Sequence, residues 1–218
     1  MSHFAYGIKM LLTPLLLVSM FSAPLSAQDQ EQKESPDTVK LTEPDFVPAT
    51  TEVSETLSQI DKALIQSAWD GKLADVEVLV AKGVNVNLHD KKKRTPLIFA
   101  ASNGHTPVVE FLLAKGADIN ATDNDDKTAL LYASKRSFSE TVALLLEKGA
   151  DVNAQTKKKG ITALMLAAVA GDEEMVRMLL DHGADASLTD VFGRTAKVLA
   201  EKKGNSAVVD MLSDQSAR

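Results

Sequence analysis

Residues 90–121 read DKKKRTPLIFAASNGHTPVVEFLLAKGADINA. The stretch holds two short apolar stripes, each introduced by a Thr-Pro pair. Thr95 is placed to cap a helix through its hydroxyl. Pro96 then falls at the first helical position, where its missing N–H costs nothing. Leu97, Ala100 and Ala101 form the first stripe, and Gly104 supplies the left-handed residue that ends it. Thr106-Pro107 restarts a helix by the same device. Val108, Val109, Leu112 and Leu113 form the second stripe, closed by Gly116.

The pattern recurs along the chain. The landmark threonine returns as Thr95, Thr128, Thr162 and Thr195, in steps of 33, 34 and 33 residues. The closing glycine returns as Gly83, Gly116, Gly149 and Gly183, in steps of 33, 33 and 34. A self-similar period of this size marks a stacked array. One such unit cannot bury its own stripes, and stacking joins them into a continuous core.

The "TPL…A", "GH…VV…LL…GADINA" landmarks resemble the ankyrin repeat over roughly residues 58–215. The resemblance implies an all-α solenoid of about five helix-turn-helix repeats with β-hairpin finger loops. The expected units are 58–89, 90–122, 123–155, 156–189 and 190–218, the first and last serving as caps. The first unit lacks the threonine landmark, and Ser58 with Asp61 reads as its capping pair. Ser137 stands where the pattern has glycine, which makes the third unit the softest joint. The fourth unit carries one extra residue in QTKKKGIT, placed in the finger, where added length is cheap.

Two segments precede the array. Lys9, the apolar run Met10 to Phe21 and the small residues of SAPLSA read as a secretory signal peptide over 1–27. A span needs about 20 apolar residues, and Pro14 interrupts this run, so no stable membrane insertion is expected after cleavage. Residues 28–57 are polar, acidic and aperiodic, and read as a flexible linker, with Phe46 a candidate contact within it. The leader points to the periplasm, or alternatively to full secretion.

Composition excludes several chemistries. There is no cysteine, hence no disulfide and no thiol nucleophile. The histidines His89, His105 and His182 lie in different units without ligand spacing. Asp118, Asp151 and Asp185 recur at one offset, which points to folding. Asp123-Asn124-Asp125-Asp126 lacks the glycine and distal glutamate of a calcium loop. No catalytic residue, cofactor or metal site is expected. The net charge is −6, which argues against nucleic acid as a partner.

What the resemblance implies instead is protein binding by a monomeric scaffold through the concave face of finger tips and inner helices. Projected onto this chain, the contact residues are Trp69, Lys91, Lys92, Arg94, Asp125, Lys127, Lys135, Arg136, Lys158, Lys159, Ile161, Phe192 and Arg194. Most are basic although the whole chain is acidic, so an acidic protein surface is the expected partner. Trp69 and Phe192 would be aromatic anchors at opposite ends. Two alternatives share this architecture: a secreted effector acting on a host protein, and an immunity-type inhibitor of a toxin or enzyme. The leader makes a direct prediction: protein released by osmotic shock begins at Gln28 by intact-mass measurement. A mass corresponding to the uncleaved chain would refute it.

Overall fold

The computed structural model describes residues 50–215, with side chains described from 59 to 213. The expected leader, and the expected linker up to residue 49, lie outside the described residues. Among the described residues there are ten helices and no strand. They pair as α1 (Thr50–Asp70) with α2 (Leu73–Ala81), α3 (Pro96–Ser102) with α4 (Thr106–Ala114), and α5 (Ala129–Lys135) with α6 (Ser139–Glu147). The last pairs are α7 (Ala163–Ala170) with α8 (Glu173–Asp181), and α9 (Ala196–Lys203) with α10 (Ser206–Gln215). Odd-numbered helices pack on one another in one layer, and even-numbered helices form the second layer.

Each inner helix starts in the same way. Thr95, Thr128, Thr162 and Thr195 are extended, and each Oγ1 accepts from the amide three residues on, at 3.2–3.4 Å. Such a cap contributes about 1 kcal/mol per helix. Pro96 occupies the first turn of α3, as the sequence requires. The inner helices α3, α5 and α7 are buried almost throughout, while α1 and α9 at the ends each keep an exposed face; Ala68, Ala101 and Ala168 pack at one offset and Ala100, Ala133, Ala167 and Ala200 at the one before. Alanine at these positions lets successive helices approach closely. Val76, Val109, Val142, Val176, Leu112, Leu145 and Leu179 fill the space toward the outer layer.

Three local expectations need correction. Helix α1 begins at Thr50, so Ser58 and Asp61 lie inside the helix and not at its start, and residues 50–57 of the expected linker are helical. Thr106 is not a cap either. Helix α4 has His105 at its N-cap with no side-chain cap bond, and the Thr106 hydroxyl shares a hydrogen bond with Thr141 Oγ1 at 2.9 Å. A buried hydroxyl partner in the next repeat outcompetes the local amide. Third, the fingers are not β-hairpin ladders but tight turns. Asp90 N–H donates to Arg94 O, Asp123 N–H to Lys127 O and Asp190 N–H to Arg194 O, each at 3.0–3.1 Å. Successive fingers are then joined by single amide bonds, Asn124 to Lys92 O, Lys157 to Asp125 O and Val191 to Lys159 O. The loop is too short to pair more residues. The three acids of the GAD positions serve the fold, as their common offset implies. Asp118, Asp151 and Asp185 each accept from the amide two residues on.

A sequence signal that the pattern analysis passed over links the outer loops. Asn87, Asn120 and Asn153 each accept, through Oδ1, from the amide of the next unit's GAD aspartate at 2.8–2.9 Å.

Repeat three carries two local costs. Ser137 sits at φ +55°, a left-handed conformation that a Cβ disfavours. Ser134 is buried, and its hydroxyl has no hydrogen-bond partner among the described residues. An unpaired buried hydroxyl costs about 1–3 kcal/mol, and the corresponding residues of three other units are Ala68, Ala101 and Ala168. Ser134→Ala and Ser137→Gly are each expected to raise stability by about 1 kcal/mol, whereas Leu145→Ala lowers it by about 2–5 kcal/mol. Urea melts of the three variants check the signs.

Candidate functional site

Finger tips and inner-helix ends form one face, and in three of its four fingers the geometry is set by an acid at the base. Asp90 Oδ1 accepts from the amides of Lys92 and Arg94, at 2.8 and 2.9 Å. Its Oδ2 takes the Arg94 guanidinium through Nε at 2.9 Å and Nη2 at 2.6 Å. Asp190 repeats this with the amides of Phe192 and Arg194 and with the Arg194 guanidinium. Asp123 takes the amides of Asp125 and Lys127, but its Oδ2 accepts from the Tyr132 hydroxyl at 2.7 Å. These carboxylates already have protein donors, so the acidic run 123–126 is a turn clamp. Lys93, Asp126 and Gly193 adopt positive φ within the clamped turns.

The expected contact residues divide into three groups. At the first end, Arg94 lies 4.4 Å from the Phe99 ring centroid, and Trp69 meets the same ring edge-on at 5.7 Å. Trp69 remains 41% exposed, so it keeps a face for contact. Its carbonyl is braced by Asn103 Nδ2 and His105 Nε2. Lys91 and Lys92 are exposed on the finger above it. In the middle, Asp125, Lys127, Lys135, Lys158, Lys159 and Ile161 come together around one hollow of about 330 Å³. Arg136, one residue beyond Lys135, is exposed and outside it. At the far end, Arg194 lies 4.8 Å from the Phe192 centroid, and that ring is 73% exposed.

The basic character is weaker than the sequence alone implies. Arg94 and Arg194 are held by Asp90 and Asp190, and Lys127 and Lys158 both pair with Asp125 at 3.2 and 3.0 Å. The cations of the expected set that have no ion-pair partner among the described residues are Lys91, Lys92, Lys135, Arg136 and Lys159. They carry the positive potential of the face.

The family profile described as Ankyrin repeats (3 copies) matches residues 64–156 and 153–218. The chain belongs to the ankyrin repeat family. A search of the curated proteins finds no significant match. The repeats support a protein-interaction scaffold. Among the described residues no helix is long and apolar enough to cross a membrane. The three described histidines of the array donate to or face main-chain carbonyls, His89 to Asp90 O, His105 to Trp69 O and His182 to Met178 O.

Sequence reasoning missed Phe99, Tyr132 and Leu166, which stand four residues after the capping threonine in three successive ankyrin units. It also missed the clamp acids Asp90, Asp123 and Asp190, five residues before it. Both rows were visible as offsets; only the cations beside them were read. Burial, then the hydrogen bond and charge of Asp123, push the Tyr132 phenol far above its ordinary value, so it remains a donor. At Asp90 burial opposes ionisation, but the Arg94 guanidinium and the amides of Arg94 and Lys92 outweigh it and lower the pKa. Asp125 is lowered by Lys158 and then Lys127, and Asp190 by the Arg194 guanidinium against opposing burial, with the amides of Arg194 and Phe192.

These depressed values set a sign. A carboxylate whose folded pKa lies below the unfolded value of about 3.9 contributes stability that is present above that value and lost as pH falls through the folded pKa. Thermal melts between neutral pH and pH 2 are therefore expected to show an acid limb opening near pH ~4. Asp90→Asn combined with Asp190→Asn should lower the neutral-pH melting temperature and flatten that limb. An unchanged limb would show that the clamps do not contribute to it.

Proposed function

We propose that this ankyrin array is an exported, non-enzymatic scaffold that docks a protein partner with an acidic surface on its finger and inner-helix face. The observation that carries the reading is the placement of Lys91, Lys92, Lys135, Arg136 and Lys159 on that face, without ion-pair partners among the described residues, in a chain of net charge −6. The Asp90 clamp holds the turn of Lys91 and Lys92, and the end of α5 carries Lys135 and Arg136, so ordering entropy at these positions opposes binding little. Electrostatic complementarity then steers the encounter and selects against basic surfaces. Trp69 and Phe192, both well exposed, add apolar contact at the two ends. Export rests on the leader-like residues 1–27. Occupying a partner's surface in this way protects it or holds it inactive.

The test is affinity capture from an envelope extract at low salt, comparing the native chain with a variant carrying Lys91→Glu, Lys92→Glu, Lys135→Glu and Lys159→Glu. The partner retained by the native chain is expected to bind the variant at least about tenfold more weakly, with the difference shrinking as salt rises. Equal retention at low salt would reject the acidic-partner reading.

A further inference from the structure

The hollow between the third and fourth repeats exists because the fourth finger breaks the clamp. In the second repeat the finger closes from Asp90 to Arg94, and the guanidinium lies over Phe99. In the fourth, the extra residue moves the closing pair to Thr156 and Ile161. No acid stands at the base, no arginine at the top, and Leu166 replaces the aromatic ring. What a guanidinium and a ring cover in the second repeat is left open here.

The floor of the resulting space is apolar, made by Tyr132, Ile161 and Leu166. Its rim is cationic, with Lys135 and Lys159 unpaired. Tyr132 is fixed by its bond to Asp123, so the floor is rigid. At about 330 Å³ the space lies at the small end of ligand pockets, a size suited to one large side chain and its flanking backbone. We propose that this hollow is the specificity socket of the array, taking a single aromatic or large aliphatic side chain from an acidic segment of the partner. The socket rests on the proposed function and narrows it: the flanking carboxylates meet Lys135 and Lys159, and the apolar side chain covers Leu166 and Ile161.

The experiment uses two labelled short peptides of alternating glutamate and aspartate, one with a central phenylalanine and one with a central alanine. Fluorescence anisotropy with the full chain is expected to show the phenylalanine peptide binding about tenfold more tightly. A double variant, Ile161→Arg with Leu166→Phe, places a guanidinium and a ring in the hollow and should bring the two peptides to equal affinity. Circular dichroism verifies that the variant is folded; the peptide pair on the native chain decides the matter even if it is not. Equal affinity of both peptides for the native chain overturns the socket. If that common binding still falls with Lys91→Glu and Lys92→Glu, the basic face stands without it. No binding of either peptide removes both.

Discussion

Everything in this chain depends on the close packing of short inner helices across repeat boundaries. Helices of seven or eight residues have no independent stability in water. They persist because Ala68, Ala101 and Ala168 leave room for the next helix to approach, and because Leu112, Leu145 and Leu179 bind each inner helix to the outer layer. The threonine caps add a local term at each start, small beside the burial but identical in phase. The same periodic burial fixes where every finger emerges, and so places side chains from four fingers on one face.

The fingers show how a turn too short for strand pairing is made rigid. One carboxylate satisfies two amides of its own turn and one side-chain donor, and a single amide bond passes to the next finger. The acids of the second and fifth repeats spend their remaining oxygen on arginine, and that of the third spends it on Tyr132. The positive charge offered to a partner is thereby reduced, since arginines and lysines that look available are partnered within the face. What remains is a smaller set of lysines on a stiff frame, better suited to discriminating between surfaces than a uniformly charged face.

Departures from the repeat carry the individuality of the molecule. Ser134 and Ser137 place an unpaired hydroxyl and a left-handed serine in the third repeat. The next finger lengthens and loses its acid, and beside it the face opens. In a linear array such defects stay local, because each unit touches only its neighbours. The fold tolerates them without losing register, and a recognition feature can arise at one joint.

The residues by themselves determined the period, the helix pairs, the capping threonines, the left-handed turn positions and the family, because each follows from local chemistry repeated at fixed spacing. Local reading failed where a partner in the next repeat won: Thr106 turns to Thr141, and Asp125 captures Lys158 as well as Lys127 of its own finger. It also mistook the fingers for hairpins, since pairing length depends on how neighbouring units stack. The Asp90–Arg94 and Asp190–Arg194 pairs form within one finger, but Lys158 is taken by Asp125 of the preceding repeat, and the hollow opens between two repeats. Those features emerge only when the units are stacked, because a single repeat has neither the carboxylate that takes Lys158 nor the wall that completes the hollow.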